Sequence, residues 1–318
     1  MKRRVFLSQI ATFVLLPFVL GGCSKQQGPL RVGIHPWIGY EPLLLADEFD
    51  WLGNKIRLHK GSNAGDSLAA LQAGKIDAAA LTLDEVLVAR SLGIPLTVVA
   101  ILDVSAGADI LVATPEIQSL ADLYGKRIAA ENSALGTLVL SKVLDIAGLK
   151  QTDVTVLDIP PDAQAAAWNA GEIDAAVTYE PTASILMSKG GQRLFDSREI
   201  PDTIFDVLAV HQDQIRQNAS VIRKLVSAHF RGLKYMRVNR GDALYRIAAH
   251  QQVDVEVVRR SLAGVFLPSI NGNRNYLADK SRFDNAAMQL YQLMSEKRLI
   301  KKQDDLKSLF TDEFLPDA

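Results

Sequence analysis

The chain has 318 residues, 48% of them hydrophobic and 22% charged, with a formal net charge of −1 and a single cysteine. That length admits one or two domains, and the composition is that of an ordinary globular protein. No charge run points to nucleic acid, and the near-neutral balance gives no case for electrostatic steering.

In chain order, the first residues read as an export signal rather than as fold. Lys2-Arg3-Arg4 form a basic start, and Val5 to Leu20 is mostly apolar, interrupted by Ser8, Gln9 and Thr12. Leu20-Gly21-Gly22-Cys23 then reads as a lipobox, the cleavage and lipidation site of a bacterial lipoprotein. The apolar stretch is short for a membrane span, and small residues precede Cys23. Residues 1–22 are therefore expected to be a lipoprotein signal peptide and 23–29 a tether lipidated at Cys23. Several acyl chains anchor stably where one binds marginally. Ser24 resembles an outer-membrane rather than an inner-membrane sorting signal, if the cell is Gram-negative. Arg3-Arg4-Val5-Phe6-Leu7 also resembles a twin-arginine export motif, with an ordinary secretory signal as the competing reading.

Leu30 to Ile34 reads as a first strand and His35 to Pro42 as a Pro- and Gly-punctuated loop. Leu43 to Phe49 is helical in pattern, Lys55 to Lys60 alternates as a strand, and Ser67 to Ala73 is a helix with cap candidates before it. Ala78 to Leu81 is a buried strand, Leu83 to Leu92 a helix, and Leu96 to Leu102 a strong apolar strand. The rhythm then repeats. Strands are expected at Asp109 to Ala113, Arg127 to Ala130, Val154 to Asp158 and Ala175 to Tyr179. Helices are expected at Ser119 to Leu123, Ala134 to Ala147, Ala163 to Asn169 and Pro181 to Lys189. Thr203 to Val210 runs back as an extended segment, and the rest is mostly helical. Alternation of this kind predicts an α/β fold of mainly parallel sheets with helices on both faces.

The chain also repeats itself in letters. Ala73-Gly74-Lys75-Ile76-Asp77-Ala78-Ala79 recurs as Ala170-Gly171-Glu172-Ile173-Asp174-Ala175-Ala176. Each copy follows a helix and opens a strand that ends in polar residues, Thr82-Leu83-Asp84-Glu85 and Thr178-Tyr179-Glu180-Pro181. Asp77 and Asp174 are expected to serve the turn. The strand ends beyond them are expected to face each other across a ligand cleft.

Four stretches resemble the nitrate/sulfonate/taurine and THI5-like (NMT1-like) class of substrate-binding proteins of ABC transporters. They are Leu120-Ala121-Asp122-Leu123-Tyr124-Gly125-Lys126-Arg127-Ile128-Ala129, the two repeat copies, and Tyr179-Glu180-Pro181. The resemblance covers about residues 30 to 240. It implies a type II periplasmic binding protein fold, with two α/β lobes joined by two crossover strands near Val104 to Asp109 and Phe205 to Val210. Lobe 1 would comprise 30–105 and 209–318, and lobe 2 would comprise 106–208.

In the cleft, Trp37, Tyr40 and Tyr179 are candidate aromatic walls for a flat or cationic ligand. Asp84, Asp103, Glu131 and Glu180 each follow an apolar strand, and Asp206 lies in the return crossing. Helix caps, hinge ion pairs and strand-end turns are their alternative roles. A sulfonate or nitrate site would want Arg, Lys or bare N–H groups there. Carboxylates instead favour an amine- or N-heterocycle-bearing ligand. Asn63, Thr82 and Ser105 are further polar candidates. Ser133 opens a helix whose equivalent turn is a ligand contact in the family, with simple capping as the other reading.

The expected function is that of a lipid-anchored, extracytoplasmic solute receptor, monomeric, passing a small organic solute to an ABC permease and ATPase. The alternative is a lipoprotein reporting ligand occupancy to a membrane sensor. An enzyme on the same fold is disfavoured, because lipidation consumes the only cysteine and no His-Asp-Ser or metal constellation stands out. No cofactor, metal or nucleic-acid partner is expected.

Overall fold

The computed structural model describes residues 28–278 and 281–317; the export signal and Cys23 lie outside the described residues. Eleven strands are described: β1 (Leu30–Ile34), β2 (Ile56–Lys60), β3 (Ala78–Thr82), β4 (Leu96–Ser105), β5 (Ile110–Ala113), β6 (Arg127–Ala130), β7 (Thr155–Asp158), β8 (Ala175–Thr178), β9 (Gln192–Asp196), β10 (Phe205–His211) and β11 (Val265–Phe266). The helices between and after them are α1 (Glu41–Glu48), α2 (Ala64–Gln72), α3 (Leu83–Ser91), α4 (Ala134–Ala147), α5 (Pro161–Asn169), α6 (Thr182–Ser188), α7 (Gln212–Gln217), α8 (Ala219–Val238), α9 (Arg240–Gln251), α10 (Val255–Ala263), α11 (Ile270–Tyr276) and α12 (Arg282–Glu296).

The strands form two sheets, one ordered β11-β4-β10-β3-β1-β2 and the other β7-β6-β8-β5-β9. The chain leaves the first sheet after Ser105 and enters the second at Ile110. It returns after Asp196, and Phe205 opens β10 in the middle of the first sheet, antiparallel to both β3 and β4. The sheets are therefore mixed rather than mainly parallel. A chain that crosses to a second sheet and comes back must run its return strand against the direction of the strands it joins. The strands β3 and β4 are buried along their whole length, which is why they read as unbroken apolar runs. After β10 the helices return to the first sheet: α8 packs on α1 and α12 on α3. Sequence pattern did not mark β9, β11, α7 or α11, all short.

The repeated segment closes the same joint in each lobe. Arg31 Nε and Nη2 grip Asp77 at 2.8 and 2.7 Å, and the Arg31 N–H donates to the same carboxylate at 2.9 Å. Arg127 repeats this on Asp174 at 3.0, 2.7 and 2.8 Å. Each bidentate pair fastens the start of one strand to the turn that opens its parallel neighbour. Burial opposes ionisation of Asp77, but the Arg31 contacts outweigh it and hold the carboxyl below its ordinary range. The Arg127 bonds hold Asp174 low in the same way.

Candidate functional site

The strand ends meet at the seam between the two sheets. The loop after β1 brings His35, Pro36 and Trp37; β3 ends at Thr82 and leads into Glu85 in the first turn of α3. Asp109 stands just before β5, Glu131 just after β6, Tyr179 just after β8, and Asp206 near the start of β10. These residues, with Asn63, Ala64, Leu135 and Ile204, line a cavity of about 40 Å³. The seam is bridged by aromatic rings: Trp37 meets Tyr179 edge to face, with centroids 5.5 Å apart at 85°. That contact joins the loop after the first sheet's β1 to the end of the second sheet's β8.

The cavity is acidic and carries no compensating cation. Glu85, Asp109, Glu131 and Asp206 line it, and none of its lining residues is Lys or Arg. Glu85, Asp109 and Asp206 are at most 5% exposed. Burial pushes the Asp109 carboxyl up to about 6, against a bond from Ser105. Burial also raises Glu85, and the neighbouring Asp84 charge adds to it. Asp206 is raised well above the usual range by burial and by the charge of Asp103. His35, the one titratable base in the lining, is lowered to about 4 by burial, and its Nδ1 has no hydrogen-bond partner. It is neutral at pH 7 and supplies no counter-charge.

Behind the lining stands a supporting layer. Tyr40 is fully buried and donates its hydroxyl to Asp206 Oδ1 at 2.5 Å. Trp37 Nε1 donates to Asp103 Oδ2 at 3.1 Å, which fixes the indole at the mouth of the cavity. Gly39 makes this approach possible: a Cβ there would fall 1.6 Å from Asp103 Oδ2. Ser105 Oγ lies 2.7 Å from Ser197 Oγ, tying together the two segments that cross between the sheets.

Of the residues singled out from sequence, Trp37, Asn63, Thr82, Glu131, Tyr179 and Asp206 come together on the cavity wall. Tyr40, Asp84, Asp103, Ser105, Ser133 and Glu180 do not line it. Asp84 is buried in the first turn of α3, pushed up by burial, with Oδ2 unpartnered. Ser133 caps α4, accepting from the Gly136 N–H at 3.0 Å. Glu180 turns to its own helix, accepting from Ser184 N and Oγ at 3.0 and 2.8 Å. Asn63 lies on the wall but its carbonyl is engaged in capping α2. Sequence reasoning passed over Glu85 and Asp109 as site residues. Glu85 is the third residue of α3, and its Oε2 accepts the Thr82 N–H at 2.9 Å. Asp109 looked like a hinge residue. For Asp109 the available signal was an acid directly beside an apolar strand.

A larger cavity, about 500 Å³, lies against α4 and β7. Its wall is built mainly from β6, α4 and β7, with Lys297 beyond α12 and with Glu131, which also lines the smaller cavity. Among the described residues no group of three or more His, Cys, Asp or Glu side chains is arranged to hold a metal. No described helix is long and apolar enough to cross a membrane.

Comparison with known proteins gives a consistent picture. The model of the NMT1-like family matches residues 24–249. The taurine-binding periplasmic protein of Escherichia coli (strain K12) is 27% identical over 174 residues, 54% of each chain. A putative aliphatic sulfonates-binding protein of Bacillus subtilis (strain 168) is 27% identical over 210 residues, covering 61% of this chain and 63% of that one. The matches thus span between half and two thirds of those relatives' length. In three dimensions the chain resembles the alkanesulfonate-binding protein SsuA from Xanthomonas axonopodis pv. citri bound to MOPS, with a TM-score of 0.74. That likeness has 21% identity and covers 90% of this chain and 98% of that one, which establishes the two-lobed periplasmic binding protein fold.

Proposed function

The chain belongs to the NMT1-like family, and from that premise we propose that it is an exported solute-binding protein of an ABC importer. It captures a small organic solute bearing a cationic or N–H-rich group in the interlobe cleft and delivers it to a membrane permease and ATPase. The relatives' names are those of binding proteins, which supports capture rather than catalysis. The lipobox at Cys23 supports attachment to the cell envelope through lipid.

One observation carries the choice of solute: four carboxylates line the cavity and no Lys or Arg does. A sulfonate placed there would find no Lys or Arg to offset its charge in a site of low dielectric, and it would oppose ionisation of every carboxyl on the wall. An amine or amidine would instead receive charge-assisted hydrogen bonds. The solute therefore differs in charge from the sulfonates and taurine in the relatives' names. The crossings at 106–109 and 197–204 act as the hinge, and closure about them brings Trp37 and Tyr179 together over the solute.

Thermal-shift screening of the leader-free protein against amines, amidines, sulfonates and amino acids tests this. Cationic hits raise the melting temperature by mass action. Hits confined to sulfonates, unchanged in Glu131→Gln, sink the assignment.

A further inference from the structure

The cleft wall discriminates further than charge. Asp109 is 3% exposed, lines the cavity, and its Oδ2 has no hydrogen-bond partner. Thr82 is 5% exposed and lines the same cavity, its side chain set against the Asp84 and Glu85 carboxyls, which it holds lower than burial alone would leave them. Buried polar atoms are rarely left unpartnered, and Asp109 Oδ2 and His35 Nδ1, two on one wall, mark a place where a ligand supplies the missing partners. No lining residue is Lys or Arg, and Ser133, which caps α4, stands off the wall.

We propose that the solute is a compact planar cation of the amidinium or guanidinium class, without a carboxylate, sulfonate or phosphate, and that Asp109 is its anchoring residue. This inference rests on the cationic-solute reading above and narrows it. A planar N–C–N cation presents two parallel N–H donors to one carboxylate and sends others outward in the same plane. The acceptors here need that spread, because Thr82 and Glu85 come from the first sheet, Asp109 from the crossing, and Glu131 from the second sheet. A quaternary ammonium carries charge but no N–H, so Asp109 Oδ2 stays unpartnered. A zwitterionic amino acid brings a carboxylate among four others. The Trp37 and Tyr179 rings, set at 85°, offer a face on which a flat cation stacks. The 40 Å³ cavity restricts the bound portion to a few heavy atoms.

The test is calorimetric titration of the leader-free chain at pH 8 with acetamidinium and methylguanidinium, beside tetramethylammonium, acetamide, glycine and taurine. The expected result is saturable binding of the first two only, with affinity falling at least about tenfold in Asp109→Asn. Glu131→Gln, at a half-buried position on the second lobe, is the companion variant and is expected to weaken binding in the same direction. Far-UV circular dichroism checks that both fold. Tetramethylammonium binding as tightly as acetamidinium overturns the N–H requirement and leaves the cationic-solute reading standing. Taurine or glycine binding in place of the cations overturns both. No heat with either planar cation at about 10 mM overturns the inference, as does unchanged affinity in Asp109→Asn.

Discussion

The turns of the repeat and the walls of the cleft use the same residue type in opposite ways. Asp77 and Asp174 are each gripped by an arginine fork and a backbone N–H. Asp109, Asp103 and Asp206 are buried at 3% exposure or less, with no arginine or lysine bonded to them. The first pair is held ionised and closes a joint; the second group is held toward the protonated form and waits for charge from outside. A carboxylate with its cation built in is scaffold. One buried without it stores an unmet demand, which a ligand can satisfy.

The comparison breaks most visibly in stability. Asp77→Ala and Asp174→Ala each remove three hydrogen bonds to a charged acceptor. Because the arginines are partly solvated, each is expected to cost about 2 kcal/mol rather than the sum of its bonds. The two sites share no partners, so the double variant is expected to lose about 4 kcal/mol, read as a fall in urea midpoint at constant slope. Solute affinity is expected to stay unchanged in both, and a loss of affinity without unfolding would show that the turns are not mere scaffold.

Next in size is pH. A carboxyl raised in the folded state binds its proton more tightly folded than unfolded, so stability is highest at low pH and falls as pH rises from the unfolded value toward the folded one. For Asp109 that window runs from about 4 to about 6, and the raised Asp84, Glu85, Asp103 and Asp206 extend it upward. Asp77 and Asp174 act in the opposite sense, their contribution being lost only as pH drops below the ordinary carboxylate range. The unliganded protein is expected to lose on the order of 2 kcal/mol between pH 4 and pH 7 from Asp109 alone. Asp109→Asn is expected to flatten that slope, and a melting temperature flat with pH in the parent protein would contradict the assignment.

A finer readout is the proton count. A cation entering the cleft pulls the wall carboxyls back toward ionisation, so binding at pH 6 to 7 is expected to release protons and to tighten as pH rises. Calorimetry in two buffers of different ionisation enthalpy measures the number; proton uptake would reverse the picture. The smallest effect is expected from Trp37→Phe, which keeps a ring near Tyr179 and loses only the bond to Asp103, costing about 1 kcal/mol in chemical denaturation.

Much of the fold was legible because periodicity and burial are local signals. Arg127–Ala130 and Ala134–Ala147 fall where sequence placed them, with Ser133 capping and Gly148 in the left-handed conformation that ends α4. The short strand β9 was missed because five residues of mixed polarity carry too little pattern. Mixed sheet direction was missed because the sense of β10 depends on where the chain has been, not on its letters. In the cleft, a strand-end position was readable for Thr82, Glu131, Tyr179 and Asp206. Which way each side chain turns was not. Asp84 and Glu85 are adjacent in sequence, yet only Glu85 reaches the cavity wall.

The sequence by itself determined the two-lobed rhythm, the duplicated turn and the acidity of the strand ends, because repeats, alternation and composition are written in order along the chain. Only the tertiary structure decided which acids found a cation. Arg31 reaches Asp77 and Arg127 reaches Asp174 across adjacent strands, while no Lys or Arg lines the seam where Glu85, Asp109, Glu131 and Asp206 converge. Charge compensation works over a few ångströms of space, and that distance is set by how the two sheets are brought together.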